Sequence, residues 1–245
     1  MKKLTLLFIA TLLTVSTYAQ EKQKTPIGGR PDIKGDLFLD FGFNVLNNRP
    51  SDLNTNFFPS RTLNVYYQYP INLFGDQSGF TLNPGFGFGM DKLAFRNNRN
   101  LFNNPLLGPE SSRLVAISTV YGQDVEVSTN NFALNYFDIP VEIRYHFNKK
   151  NYGKSMRIAI GGKVGYLVNA QTKIEFTDDN GLTRKIKDRQ SFGVNPLRYG
   201  VYTKMGFPGF NLWAYYGLNN VFQKDKGPFS TEATQFNFGL SFALF

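Results

Sequence analysis

The residues able to do chemistry are few and far apart. His146 is the single histidine and there is no cysteine, so thiolate nucleophiles, thiolate metal sites and histidine-rich metal sites are excluded. A Ser-His-Asp triad would have to be built on His146, which ends an alternating segment beside the Asn148 turn and reads as a structural residue. Asp138 and Glu142 share one strand face four residues apart, which separates their Cα atoms by ~13 Å at ~3.3 Å per residue. That is too far for a proton-sharing pair. Asp178-Asp179-Asn180 offers the oxygen ligands of a weak calcium site, although a hydrated turn explains the same residues. Gly85-Phe86-Gly87-Phe88-Gly89 has the glycines of a phosphate loop, yet it alternates like a strand and no helix follows it. The chain is expected to be no enzyme and to carry no catalytic residue, metal or cofactor.

What does recur is ionised side chains at every second position. Phe137, Ile139, Val141, Ile143, Tyr145 and Phe147 share one face of a segment whose other face carries Asp138, Glu142, Arg144 and His146. Seven further segments of about ten residues alternate in the same way, beginning at Asp36, Thr62, Phe80, Met156, Leu197, Phe210 and Gln235. Their polar faces add Asp40, Arg157, Lys163, Arg198 and Lys204 to Asp138, Glu142 and Arg144. Tyr66, Tyr136, Tyr202, Trp213 and Tyr215 stand among them, and Asp36 and Asp91 begin and end such faces. Pro84 lacks an N–H and predicts a local bulge in the third segment.

The composition agrees with strands. The 25 Phe, 13 Tyr and 23 Gly among 245 residues favour sheet and turn over helix. Mean hydropathy is −0.28, and the one long apolar run, residues 4–13, falls short of the ~18 residues of a spanning helix. Lys2 and Lys3, that run, and Ser16-Thr17-Tyr18-Ala19 have the order of a secretory signal peptide cut before Gln20. The expected organisation is residues 1–19 as signal peptide, 20–35 as a flexible periplasmic tail and 36–245 as one β-barrel domain. The formal charge of +9 loses Lys2 and Lys3 on cleavage, and the remaining bases are scattered through loops. Nucleic acid is not an expected partner.

Connections between the segments alternate in length. Residues 72–79, 148–154 and 207–209 are short links, whereas residues 47–60, 96–131, 169–190 and 223–231 are long. The prediction is an all-β fold: an eight-stranded antiparallel up-and-down transmembrane β-barrel with short periplasmic turns and long extracellular loops. A soluble barrel of the same period would have to pack every bulky face inside eight strands, an interior too narrow for them. Turned outward, those faces meet lipid, and the charges of both signs pair across the lumen. Tyr67, Tyr69, Phe80, Tyr145, Phe147 and Phe210 fall beside the short turns and predict a periplasmic aromatic girdle. In the longest loop, residues 114–120 and 124–128 predict a hairpin above the membrane, and Asp178-Asp179-Asn180-Gly181 predicts another hairpin extension, because Asn-Gly favours a type I′ turn. A lumen filled by side chains is the favoured reading, with a narrow porin-like diffusion channel as the alternative. An outer-membrane enzyme would need Ser, Asp, Glu or His clustered at the outer strand ends, and no such cluster is evident. Expected partners are outer-membrane lipid, the barrel-assembly machinery, and proteins reached through the outer loops or the N-terminal tail.

Tyr136-Phe137-Asp138-Ile139-Pro140-Val141-Glu142-Ile143-Arg144-Tyr145-His146-Phe147 resembles the acidic-Ile-Pro strand of PorT-like outer-membrane β-barrel proteins of Bacteroidetes. Ile160-Gly161-Gly162-Lys163-Val164-Gly165-Tyr166 is similar to that family's glycine-rich strand. The stretch from Tyr216 through Gly227-Pro228 to Phe242 is similar to its closing strands. The resemblance covers residues 36–245. It implies a small outer-membrane barrel with no catalytic residue to carry over, in a family some of whose members are components of the type IX secretion machinery. One departure stands out: the apolar face of the last segment uses even positions, and Phe245 is odd.

Overall fold

The computed structural model describes residues 34–122, 125–178 and 180–244. The expected signal peptide, most of the N-terminal tail, Gln123, Asp124, Asp179 and Phe245 lie outside the described residues. Period-two alternation becomes strand wherever the polar face can be enclosed. The strands are β1 (Asp36–Asn47), β2 (Arg61–Gln68), β3 (Ile71–Leu73), β4 (Phe80–Leu93), β5 (Arg99–Asn104), β6 (Gly108–Ala116), β7 (Glu126–His146), β8 (Arg157–Thr177), β9 (Thr183–Arg189), β10 (Leu197–Phe207), β11 (Phe210–Asn220) and β12 (Thr234–Ala243). Neighbours run antiparallel in the order β1-β2-β4-β7-β8-β10-β11-β12, and β12 returns to β1. Eight strands thus close into an up-and-down barrel that leaves no free edge in its wall.

The remaining strands are outworks. β3 continues β2 beyond Tyr69 and Pro70 on an unchanged register with β4. β7 and β8 are 21 residues each. The lower part of β8 pairs with β10, and its upper part, from Gln171 to Thr177, pairs with β9. β5 and β6 form a separate hairpin. Short turns lie at one end of the barrel, and all long connections gather at the other.

Three local expectations are corrected. Pro84 makes no bulge: Pro84 opposes Val141 and Gly87 opposes Asp138 in one register. Pro84 and Pro140, each without an N–H, fall in the same stretch, so cross-strand pairs are lost there without an inserted residue. The shifts in the β7–β8 ladder come instead at Asn135–Tyr136 and Val127–Thr129. The hairpin of residues 114–120 with 124–128 does not form. Leu114 to Ala116 belong to β6 and pair with β5, a five-residue helix follows at Ile117–Tyr121, and β7 takes up residues 126–128. Alternation is blind to the partner, and prolonging the β7–β8 ladder satisfies more backbone than a new short hairpin. At the tip of the β8–β9 hairpin the Gly181 N–H donates to the Asp178 carbonyl at 2.8 Å, with Gly181 at φ +74°. Asn180 and Gly181 are therefore the third and fourth residues of the turn, not the central pair of a type I′ turn.

Candidate functional site

The inward positions of the eight barrel strands bury charges that would each be costly alone. Arg198 on β10 donates to Asp138 on β7 through Nε at 3.0 Å and Nη2 at 2.5 Å, and its Nη1 reaches Asp91 on β4. Asp138 also accepts from the Tyr66 hydroxyl at 2.5 Å, and that hydroxyl accepts from Lys163 Nζ at 3.1 Å. Asn237 Nδ2 donates to Asp91 at 3.0 Å. The Arg198 guanidinium lies 3.9 Å from the centre of the Tyr136 ring and Lys163 lies 4.1 Å from that of Tyr215, so the aromatic faces share in holding the cations.

A second network sits nearer the short turns. Arg144 donates to Glu142 at 2.6 Å, to Asp36 at 2.8 Å and to Gln68 at 3.3 Å. Arg157 lies 3.9 Å from Asp36 and donates to Asn211 at 3.2 Å. Lys204 Nζ donates to Asp40 at 3.1 Å. Arg144, Arg157 and Lys204 all face the ring of Phe38. Between them the two networks touch every barrel strand. Asp138 and Glu142 serve different networks, as their spacing requires.

All eight ionisable residues singled out on the polar faces are buried among these contacts. Sequence reasoning placed Asp36 and Asp91 at the ends of polar faces but left both acids out of the set expected to pair across the lumen. The eight comprise five bases, Arg144, Arg157, Lys163, Arg198 and Lys204, and three acids, Asp40, Asp138 and Glu142. Adding Asp36 and Asp91 balances them five against five. The imbalance was the signal: both missing acids stand on the same period-two faces.

The long loops fold inward and seal their end. Leu53, Leu93, Phe95, Leu101, Phe132, Phe192, Val194 and Phe222 make one buried apolar cluster over the upper network. Phe132 stacks near Phe95 and Phe222 and meets Phe192 edge-on at 5.5 Å. A second small core, Ile117, Ile174 and Phe176, packs the Ile117–Tyr121 helix against β8 and β9. At the opposite mouth His146 stacks on Tyr152 at 4.3 Å, and the Tyr152 hydroxyl ties the two neighbouring turns through Gly79 N–H and the Asp76 carbonyl. The void lined by Tyr136, Arg198, Tyr215 and Gln235 measures about 10 Å³, space for one water. The Asp178 carboxylate is committed within its own turn. Asp178 accepts from Asn180 and Leu182 N–H and from Arg184 at 2.7 Å, and among the described residues no group of acids or histidine is arranged to hold a metal.

Outside, the apolar positions are bare. Ile160 is 68 % and Val168 62 % exposed, and Phe86, Ile139, Val164, Tyr166, Leu212 and Leu218 are exposed with them. A continuous apolar band of this size has no place in water. At the short-turn end Phe80 meets Tyr145 at 4.8 Å and Tyr145 meets Phe147 at 5.2 Å. Phe210 meets Phe242 at 5.6 Å. The Tyr67 hydroxyl donates to the Lys34 carbonyl at 2.5 Å, and the Lys34 ammonium lies over Tyr69. An aromatic cluster that sequence reasoning missed lies toward the other end, where Phe57 from the first long loop stacks on Phe43, Phe58 meets Phe43 edge-on and Phe57 approaches Phe238. Residues 19–223 match the outer membrane protein beta-barrel domain family. The chain belongs to this family. The outer-membrane barrel has no match among curated proteins. Among solved structures it is similar to Ail, the attachment invasion locus protein of Yersinia pestis, at 12 % identity over 86 % of this chain and 100 % of that one, with a TM-score of 0.34. It is also similar to a mutant Rh. blastica porin, at 10 % identity over 86 % and 99 %, with a TM-score of 0.20. Family membership makes this a small outer-membrane barrel, a group generally without enzymatic activity.

Proposed function

We propose that this barrel is a structural or accessory protein of the outer membrane that works through its surface and not through a pore. Its short turns would face the periplasm and its long loops the cell exterior, and the expected signal peptide would deliver it there. The observation that carries this reading is the double closure of the lumen: a charge-balanced network across the middle and an apolar cap over the long-loop end. Eight strands enclose a space that side chains can fill, and here Tyr202, Trp213 and Tyr215 fill the middle between the ion pairs.

Among the described residues there is neither a conduit nor an assembled set of reactive groups, and the outer loops and the N-terminal segment are the parts suited to holding protein partners. The PorT-like resemblance of residues 136–147 points to a secretion or surface-export assembly of the type IX kind. Purification of the native protein from outer membranes in mild detergent tests this. Recovery of a defined set of export components is expected, whereas a barrel recovered alone and conducting steadily in planar bilayers would overturn the reading in favour of a diffusion channel.

A further inference from the structure

The outward apolar band ends abruptly toward the long loops, at Met90 on β4 and Val168 on β8. Just beyond it the sheet lines up cations. Thr62 pairs with Asp91, which brings Arg61 and Lys92, the next residue along each strand, side by side. The charge of Lys173 also reaches Lys92. The row continues from Lys92 to Ala133, from Ala133 to Gln171 and from Gln171 to Arg189, and one step higher Lys173 lies opposite Lys187. Like charges set directly opposite each other in a sheet are destabilising.

This chain can pair its charges when it must. In the lumen every base has an acid or an aromatic face as partner, and the count balances. On this outer row only Lys173 has a carboxylate, Glu175 at 3.0 Å, while Arg61 lies 5.9 Å from the centre of the Phe41 ring. Among the described residues none comes within ion-pair distance of Arg61, Lys92, Lys187 or Arg189. The counter-charge therefore belongs to whatever surrounds the barrel at this height. That height is marked independently: Arg61 pairs in register with Phe43, donates to the Phe58 carbonyl at 2.9 Å and so abuts the exposed aromatic cluster. Aromatic side chains concentrate where hydrocarbon meets headgroup.

We propose that the outward face of β2, β4, β8 and β9 seats the phosphate groups of a phosphorylated glycolipid of the outer leaflet, with Arg61 and Lys92 as its centre. The acyl chains would lie on the apolar band below, and the Arg61 fork would take phosphate oxygens in a charge-assisted contact. The proposal rests on the long loops facing the cell exterior.

The full chain, folded in detergent micelles, is examined by native mass spectrometry with three probes: bisphosphorylated lipid A, dephosphorylated lipid A and inorganic phosphate. Retention of the bisphosphorylated lipid is expected, weakening as salt is raised. The double variant Arg61→Gln/Lys92→Gln should retain about tenfold less, the size expected for lost charge-assisted contacts. Lys149→Gln/Lys150→Gln, at the short-turn end, should retain as much as the parent. Heat-modifiable gel mobility establishes that each variant is a folded barrel. Equal retention of the dephosphorylated lipid, undiminished retention by the folded double variant, or displacement by inorganic phosphate would overturn the proposal. Orientation is read separately by labelling Gly181→Cys on intact cells with a membrane-impermeant reagent. Labelling supports the outer leaflet, and its absence overturns the proposal by that route alone.

Discussion

Arg198 joins Asp138 across an intervening strand. Two hydrogen bonds, at 3.0 Å and 2.5 Å, tie β10 to β7 while β8 lies between them, and the same guanidinium reaches Asp91 on β4. Replacing Arg198 with Met leaves buried Asp91 without its cation and Asp138 with only Lys163 Nζ at 3.7 Å. A loss of about 3–5 kcal/mol is expected, the cost of breaking a buried pair from one side. Guanidinium unfolding in lipid vesicles measures it, and a loss under about 1 kcal/mol would mean that water already solvates the pair.

Gly165 is empty because the pair occupies its space. A Cβ there would collide with Asp138 Oδ1, and one at Gly89 would collide with Arg198 Nη2. Gly165→Ala should destabilise by about 1–3 kcal/mol through overpacking. In a double-mutant cycle with Arg198→Met the two losses should fall short of additive. Strict additivity would show that the glycine serves the backbone and not the ion pair.

The two seals predict a two-step opening. Phe132→Ala should cost about 3–5 kcal/mol as the cap loses its central ring, and hydrogen exchange in the long loops should quicken. Planar bilayers should stay silent, because the Glu142–Arg144 network still crosses the lumen. Steady conductance is expected only when Phe132→Ala is combined with Glu142→Ala, Arg144→Ala and the loss of the Arg198–Asp138 crossing. Conductance from the cap variant alone would make the loops the sole barrier.

Acid should loosen the β8–β9 tip late. The hydrogen bond from Arg184, followed by that from the Leu182 N–H, holds the Asp178 carboxyl below the usual carboxylate range. Its contribution is complete above the ordinary carboxylate value and disappears as pH falls through the lowered folded one. Arg184→Ala should return the titration toward the ordinary value, followed by NMR of labelled aspartate. An unchanged midpoint would assign the shift to the turn backbone.

Much of the wall was legible because burial on one face forces period two, and Phe137 to Phe147 could alternate for no other reason. The charges of the lumen were legible for the same reason, though Asp36 and Asp91 escaped because they stand at the ends of their faces. The cap was not legible. Leu53, Phe95, Phe192 and Phe222 come from separate loops and share no period, and their contact exists only once the strands have brought the loops together. Loop residues Phe57 and Phe58 were missed on the same ground. The pairing of Leu114 to Ala116 was open in principle, since alternation names a face and never a neighbour.

The length of β7 and β8 has a consequence for what the cell presents. At ~3.3 Å per residue each 21-residue strand runs ~70 Å, while the lipid-facing belt of such barrels is ~25 Å tall. Even strongly inclined, the pair must carry the tip of the β8–β9 hairpin clear of the bilayer as a stiff mast, with the Arg189 end of β9 level with Lys92. With the long loops outward, as proposed, an antibody, a phage or an adjoining cell would meet that mast first, and a short epitope spliced beside Gly181 would be flown from its top.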